Sequence, residues 1–395
     1  LIPERDEVYD LIVVGAGPAG STAARTASMM GLNVLMLEKE VFPRYKPCAG
    51  ALSDKTISLL DFSIPEELCE RTINKARFHF QGKVVESRKD HRLIALVTRS
   101  NFDHLLLNKA EGAGAKLKIE KVIGFRERDE CVEVQTGSHR FSSRFLVVAS
   151  GCQDGLKNNI QCREARNHYC ICMVTEVEAA EQEINDKFNN IINVHFGVAS
   201  GGYGWIFPHR GYYSVGIGGM ASLMKYPRQI MLDFLKANGF NGSYRLHGHT
   251  LPLGGLNRHI ATKRIMLAGD AAGFVDAFTG EGIYYAMRSG EIAAKTAAEK
   301  LSNPDMDIVQ AYKSRCKRDF GDELRYSLLL SRAMHNYPGI FFRIFTSQDK
   351  ILDKCIETLT ARTTYKNFIC WLAPRLPLCV LRSLWAYSSY ESKSL

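Results

Sequence analysis

The chain has 395 residues, 46% of them hydrophobic and 24% charged, with a net charge of +9. That length fits two or three domains at ~100–200 residues each, and the balance excludes a disordered or collagen-like chain. No apolar run approaches the ~18 residues of a membrane-spanning helix.

Residues 9–14 form a short apolar run and 15–20 a glycine-rich turn. Residues 21–30 favour helix, and 33–37 make a second buried strand ending on Glu38. This is a βαβ unit with short connections. Strand-like stretches follow at 77–80, 83–85 and 93–97, then a helix at 102–112. Further strands are expected within 116–125, at 131–135 and at 145–149, the last ending at Ser150-Gly151. From 167 to 253 the pattern is mostly antiparallel strand, at 169–177, 191–196, 204–208 and 212–217, interrupted by one helix at 229–237. Residues 264–268 read as another buried strand before Gly269-Asp270, and a long helix spans about 281–301. The remainder is helical, with breaks at Pro338, Pro374 and Pro377.

The expected fold class is α/β. A nucleotide-binding domain with a parallel sheet (1–75, 99–165 and 255–303) is interleaved with an antiparallel-sheet substrate domain (76–98 and 166–254). A helical region, 304–395, follows.

Gly15-Ala-Gly17-Pro-Ala19-Gly20 fits GxGxxG. The first glycine permits the tight turn, the second lets backbone approach a pyrophosphate, and the third lets helix pack on strand. The next helix offers its N–H groups and positive end to phosphates, and Glu38 stands where a carboxylate accepts ribose hydroxyls. Asp270, at the end of a buried strand before a glycine turn, is placed for a second polyol contact. The competing readings are a βα turn that binds nothing and an N-cap aspartate.

With Arg99-Ser-Asn-Phe102-Asp103-His-Leu-Leu106 added, the sequence resembles the glutathione-reductase-type FAD superfamily in its hydroxylase-like branch. There the Gly-Asp segment and the Arg-x-x-Phe-Asp helix both serve FAD. Ser150-Gly151 replaces the Asp-Gly common in that branch. Three further segments narrow the resemblance to the geranylgeranyl reductase family, archaeal digeranylgeranylglycerophospholipid reductases in particular. They are Tyr203-Gly-Trp205-Ile-Phe207-Pro208 with Gly216-Ile-Gly218, then Pro47-Cys48-Ala49-Gly50, and Phe278-Thr279-Gly280-Glu281-Gly282-Ile283. Asp276-Ala277 departs from the Asn-Pro usual before the last. The resemblance implies FAD contacts from Gly15, Gly17, Ala19, Gly20, Glu38 and Lys39. It implies others from Cys48, Ala49, Gly50, Arg99 and Val122, and from Ser150, Gly151, Asp270, Gly280, Gly282 and Ile283.

Tyr203, Trp205 and Phe207 alternate and so share one face of a strand. They form an aromatic wall suited to a greasy chain, with Gly216 and Gly218 leaving space opposite; an ordinary sheet core is the plain alternative. Cys48 shares its loop with Arg44 and Lys46, cations that favour a thiolate. The resemblance places it beside the flavin and the reacting alkene, as proton relay or flavin tuner, with Tyr203 and Trp205 lining the cavity. The other ten cysteines read as packing residues. The odd count of eleven, without a repeated CxxC, argues against a disulfide framework and places the chain in a reducing cytoplasm. The residues after Leu1 carry no basic-then-apolar signal pattern. The histidines show no metal spacing, so no metal is expected.

The implied reaction is saturation of isolated prenyl double bonds by hydride from reduced flavin plus a proton. The electron donor would be external, a ferredoxin-like carrier or a transiently docked nicotinamide. The alternatives are a flavin monooxygenase or halogenase, a quinone-linked electron-transfer flavoprotein, and a non-enzymatic FAD-binding module. Position 203 is Tyr where a halogenase's WxWxIP begins with Trp, and Cys316, Cys355, Cys370 and Cys379 lack iron–sulfur spacing. In the last 35 residues Arg362, Lys366, Arg375, Arg382 and Lys393 face one acid, Glu391. With Tyr365, Phe368, Trp371, Trp385 and Tyr387 they suggest a peripheral membrane contact, against the alternative of aromatics packed on the core. No nucleic-acid motif competes.

Overall fold

The computed structural model describes residues 8–152, 155–161, 166–188, 190–255, 257–346, 348–360 and 362–377. The tail residues Cys379, Arg382, Trp385, Tyr387, Glu391 and Lys393 lie outside them. The chain forms two compact units. One comprises the residues up to Lys46, Thr98–Tyr169 and Thr250–Leu324; the other Pro47–Val97, Cys170–His249 and the described residues from Arg325 onward.

The first unit is built on a strand whose residues leave no side for water. Leu11, Ile12 and Val13 are fully buried, as a continuous apolar run requires when a parallel sheet is covered on both faces. This strand, Val8–Val14, pairs in parallel with Val34–Glu38 on one side and Arg140–Val148 on the other. Val34–Glu38 pairs in parallel with Lys116–Ile119. Arg140–Val148 serves two neighbours. Its first half takes the antiparallel strand Val132–Thr136, and its second half takes Ile265–Leu267 in parallel. Val122–Glu127 completes the meander beside Val132–Thr136.

Two helices, Pro18–Met29 and Ile283–Ser302, pack closely. Gly290 allows this, because a Cβ there would lie 2.2 Å from the Ala19 carbonyl oxygen. Helix Ile308–Cys316 joins the same core: Tyr312 is fully buried and its hydroxyl donates to the Leu267 carbonyl at 2.7 Å.

The second unit carries a seven-stranded sheet in the order His247–Pro252, Tyr169–Glu178, Tyr212–Met220, Tyr203–Pro208, Ile191–Phe196, Lys75–Phe80 and Lys83–Arg88. One joint, Ile191–Phe196 with Lys75–Phe80, is parallel. Two helices cover one face: the expected one, Pro227–Ala237, and Glu181–Lys187, about two turns between the expected strands 169–177 and 191–196, where no helix was expected. Met231, Phe234, Leu235 and Ile184 meet Tyr213, Val215 and Ile217 there.

Part of the other face is covered by a three-stranded sheet with Ile94–Leu96 between Ala51–Ser53 and Arg71–Ile73. Strands of three residues are too short to show a period, so two of them were not expected. They place residues 47–75 in the second unit. The expected helical tail is divided in the same way. Helix Ile308–Cys316 belongs to the first unit, while Phe342, Leu352 and Ile356 from the later helices pack on Ala76, Phe78 and Phe80 of the second.

Helix Tyr365–Leu372 buries Tyr365 and Phe368. These two aromatics serve packing, which corrects their assignment to a membrane contact. No helix among the described residues is long and apolar enough to cross a membrane.

Candidate functional site

In the first unit the glycine turn closes between strand and helix. Gly15 sits at φ +95°, where an added Cβ would be 2.7 Å from the Ala149 carbonyl oxygen; at Gly20 it would be 1.7 Å from the Gly15 oxygen. Both positions require glycine on backbone grounds. Gly17 differs: a Cβ there meets only Arg44 Nη2, at 3.6 Å, so this residue opens onto free space. Helix Pro18–Met29 starts at Gly17 with no side-chain cap and with Pro18 at its first position, which leaves its N-terminal field for an anion. Glu38 braces the turn from the second strand. One carboxylate oxygen accepts the Ala16 N–H at 2.7 Å, and the other accepts those of Lys39 and Glu40 at 2.8 and 3.0 Å. The first oxygen retains a lone pair for a ribose hydroxyl. Lys39 contributes its backbone here; its side chain is exposed.

Beside this turn lies a cluster that the sequence reading did not assemble. Asp103 is fully buried and accepts from Arg99 through Nε and Nη2, each at 2.8 Å, while Arg44 Nη2 lies 2.9 Å from its second oxygen. Arg99 is thus oriented by Asp103. Arg44 keeps Nη1 buried without a protein partner, and the hydroxyl of Ser150, next to Ala149 at the glycine turn, is buried without one as well. A buried cationic nitrogen left unpaired is costly. Nη2, held by Asp103, is the atom nearest the space a side chain would take at Gly17, so a fixed guanidinium stands beside the glycine turn, as a bound diphosphate requires. Burial pushes the Lys46 ammonium pKa down, Asp270 counteracts this, and Arg99 and Arg44 reinforce it. Three cations therefore gather with Asp103 and Asp270, an arrangement suited to an anionic cofactor. Gly151 sits at φ +81° in open space, and Val122 is buried in the core at the start of its strand.

Asp270 follows Ile265–Leu267 as expected. Gly269 lets it meet the first helix, since a Cβ there would be 3.1 Å from Ala19 Cβ; a Cβ on Gly282 would lie 3.3 Å from Asp270 Oδ1. Ala19, Asp270 and Gly282 are thereby brought together. The loop before helix Ile283–Ser302 is shaped by Asp276, which is 1% exposed and accepts the Phe278 and Thr279 N–H groups at 2.8 and 2.9 Å. The Asp-Ala departure thus carries its own turn, with Gly280 at φ +73°. Gly282 precedes the helix without a side-chain cap, so Gly280, Gly282 and Ile283 present backbone at a helix N-terminus.

In the second unit Tyr203, Trp205 and Phe207 share one face. The Tyr203 and Trp205 rings meet edge-on, 6.3 Å apart. Trp205 and Phe207 are each 8% exposed and pack with Ile73, Leu96 and Val174, so the small sheet makes them core. Tyr203 is the half-buried end of the row. Gly216 does not leave room for a ligand: a Cβ there would be 2.2 Å from the Trp205 ring, so the indole itself fills that space. At Gly218 the nearest atom to such a Cβ is Cys172 Sγ, at 3.1 Å.

Ala49 packs against the same aromatic cluster, which brings the Pro47–Gly50 turn to it. Cys48 is half-buried, and its sulfur accepts the Gly50 N–H at 3.4 Å. Gly50, at φ +70°, is pressed against Val97. The Ala49 carbonyl receives His209 Nε2 at 3.0 Å, and His209 Nδ1 is bonded to Glu70. His209 follows the aromatic strand directly but was set aside because it lacks metal spacing. Cys170 and Cys316 behave as packing thiols: burial pushes each pKa up to about 12.

The FAD binding domain family matches residues 8–210. The chain is 30% identical to the digeranylgeranylglycerophospholipid reductase of Methanocaldococcus jannaschii, over 83% of this chain and 86% of that one. It is 29% identical to the geranylgeranyl diphosphate reductase of Rhodobacter capsulatus, over 91% of each. Among solved structures, a geranylgeranyl bacteriochlorophyll reductase-like protein of Thermoplasma acidophilum shares the fold with a TM-score of 0.77, at 22% identity over 95% of this chain and 98% of that one. A flavin-dependent brominase shares it with a TM-score of 0.73, at 20% identity over 93% and 99%. Joined to the glycine cradle and the orphan guanidinium, these matches make FAD the cofactor, and the chain belongs to the geranylgeranyl reductase family of FAD-binding proteins.

Proposed function

We propose that this protein is an FAD-dependent oxidoreductase that saturates isolated carbon–carbon double bonds of geranylgeranyl chains carried by a polar lipid. The observation that carries the reading is the aromatic row ending at half-buried Tyr203, packed through Ala49 against the turn that holds Cys48. The names of the relatives supply the substrate class. When bound and reduced, FAD supplies the hydride equivalent that an unactivated alkene requires.

The chain's own residues bind and orient. Gly17, Arg44 and the uncapped helix start take the diphosphate, Glu38 a ribose hydroxyl, and Asp270 the polyol. The Tyr203 ring offers an apolar edge to an isoprenoid chain, and the Cys48 thiol stands in the same unit as a hydrogen donor for the carbon that receives the proton. The reductant is external, a ferredoxin-like carrier or a transiently docked nicotinamide, since the one GxGxxG in the sequence serves FAD. A lipid substrate calls for contact with a membrane surface. The exposed side chains Leu329, Tyr337 and Ile340, with Arg332 in the same helical stretch, suit such a contact. Loss of sedimentation with anionic vesicles on changing Tyr337 and Ile340 to Ser would support it; unchanged sedimentation would sink it.

The deciding experiment is anaerobic reduction of the FAD-loaded protein with a geranylgeranyl lipid, followed by mass analysis. Products heavier by pairs of hydrogens support the reading. Addition of one oxygen in the presence of air, with no hydrogen gain without it, would replace it by a monooxygenase.

A further inference from the structure

We propose that His209 is a positioning residue for Cys48, acting through the carbonyl of Ala49 and held in place by Glu70. The inference deepens the proposed function, resting on the reading that places Cys48 at the reacting alkene.

His209 is 1% exposed. Its Nε2 lies 3.0 Å from the Ala49 oxygen and its Nδ1 contacts Glu70 Oε2. A carbonyl only accepts, so Nε2 carries a hydrogen. A carboxylate oxygen and a bare ring nitrogen would repel, so a second hydrogen lies between Nδ1 and Oε2. The pair as a whole is therefore neutral, with one proton more than a neutral imidazole and an ionised carboxylate would hold.

The ring cannot drift from this arrangement. Tyr212 stacks on it at 4.6 Å with 14° between planes, and its hydroxyl donates to the same Glu70 oxygen at 3.4 Å. Arg71 Nε donates to the His209 carbonyl at 3.0 Å and ties the backbone down. The groups facing the pair are Glu70, Tyr212, Arg71, Glu176 and, through Arg71, Glu181. Packing alone would be met by a leucine at no desolvation cost.

The other end of the contact is the Cys48 turn. Gly50 donates to Cys48 Sγ at 3.4 Å and accepts from Val97 N–H at 2.9 Å. An added Cβ on Gly50 would be 3.1 Å from His209 Cε1, so imidazole and turn are in direct contact. Between Cys48 and Gly50, the Ala49 carbonyl is the point where the ring holds the turn.

The test uses the full chain loaded with FAD. Alkylation of Cys48 by iodoacetamide is followed peptide by peptide at neutral pH and divided by the rate at Cys131. His209→Leu removes the donor; its Cys48 should alkylate about tenfold faster at neutral pH, as a turn lacking one hydrogen bond opens more often. Its kcat on a geranylgeranyl lipid should fall roughly 10–100-fold at unchanged flavin content, the scale of a small misplacement at a reacting centre. His209→Gln keeps an N–H for Ala49 and should restore the parent's alkylation rate. Glu70→Gln weakens the contact that holds the ring and should raise the rate as His209→Leu does, by a smaller factor. Parent-like alkylation in both His209→Leu and Glu70→Gln, with flavin retained, would overturn the proposal; if His209→Leu does not fold, parent-like alkylation in Glu70→Gln does so alone. A response in alkylation without lipid reduction by the parent supports the positioning role and removes the reductase reading.

Discussion

Arg44 and Asp103 form a half-completed pair: Nη2 of the guanidinium lies 2.9 Å from the carboxylate, while Nη1 is buried with no protein partner. The buried carboxylate fixes the guanidinium, whose Nη2 is the atom nearest the space a side chain would take at Gly17. Replacing Arg44 by Ala should weaken FAD binding about 10–100-fold, as expected for a hydrogen bond to a charged group worth ~1.5–3 kcal/mol. Equilibrium dialysis with flavin absorbance measures this, and an unchanged Kd would take Arg44 out of the cofactor site.

Gly17 and Gly20 should separate binding from folding. A methyl at Gly20 would sit 1.7 Å from the Gly15 oxygen, so Gly20→Ala should cost ~3 kcal/mol or more of apoprotein stability. A methyl at Gly17 meets only the tip of Arg44, at 3.6 Å. Gly17→Ala should therefore stay within ~0.5 kcal/mol of the parent apoprotein while losing flavin. Thermal unfolding of the two apoproteins, alongside their flavin content, distinguishes these roles. Equal destabilisation would contradict the distinction.

Trp205 and Gly216 should show strong coupling. Gly216→Ala drives a methyl to within 2.2 Å of the indole and should cost ~1–3 kcal/mol. Trp205→Phe alone should be destabilising through the space it empties. The double variant should recover at least ~1 kcal/mol relative to the sum of the singles. Additivity in urea unfolding would mean that the two side chains do not share that space.

Stability should fall with acidification in a window set by His195. Burial pushes its pKa down to about 4, helped by His79, whose ring stacks on it 4.0 Å away. The unfolded chain binds a proton near the ordinary histidine value of 6.5 and the folded one does not until about 4. Stability is therefore complete above the first value and is lost as pH falls toward the second. His335, also pushed down to about 4 by burial, acts in the same window. His195 is partly solvated, so its share after screening is ~1–2 kcal/mol. His195→Gln should roughly halve the slope of stability against pH in that interval, and an unaltered slope would remove His195 from the effect.

The sequence made the cofactor elements legible because each is local. The glycine turn, Glu38 and Gly269-Asp270 announce themselves through strand, turn and helix within a few residues. The Arg44–Asp103 pair was hidden because its partners lie on separate elements, and Arg44 reads in its own loop only as a cation near Cys48. His209 escaped for a related reason: Glu70 and Ala49 reach it from strand and turn positions distant in sequence. The alternation of Tyr203, Trp205 and Phe207 was read correctly as one face. What covers it was not legible, since Arg71–Ile73 and Ala51–Ser53 are too short to carry a period. Tyr365 and Phe368 show the limit of composition: aromatics among cations look interfacial until burial is known.

The double pairing of strand Arg140–Val148 has a temporal consequence during synthesis. Its first half finds Val132–Thr136 immediately, whereas Leu146–Val148 await Ile265–Leu267 from much later in the chain. Until that segment leaves the ribosome, three wholly apolar residues present an open edge, the feature that invites pairing with another chain. Closure of the cofactor-binding half is thus postponed until the antiparallel insertion has been made, and a nascent chain stalled between these points is the species most in need of a chaperone.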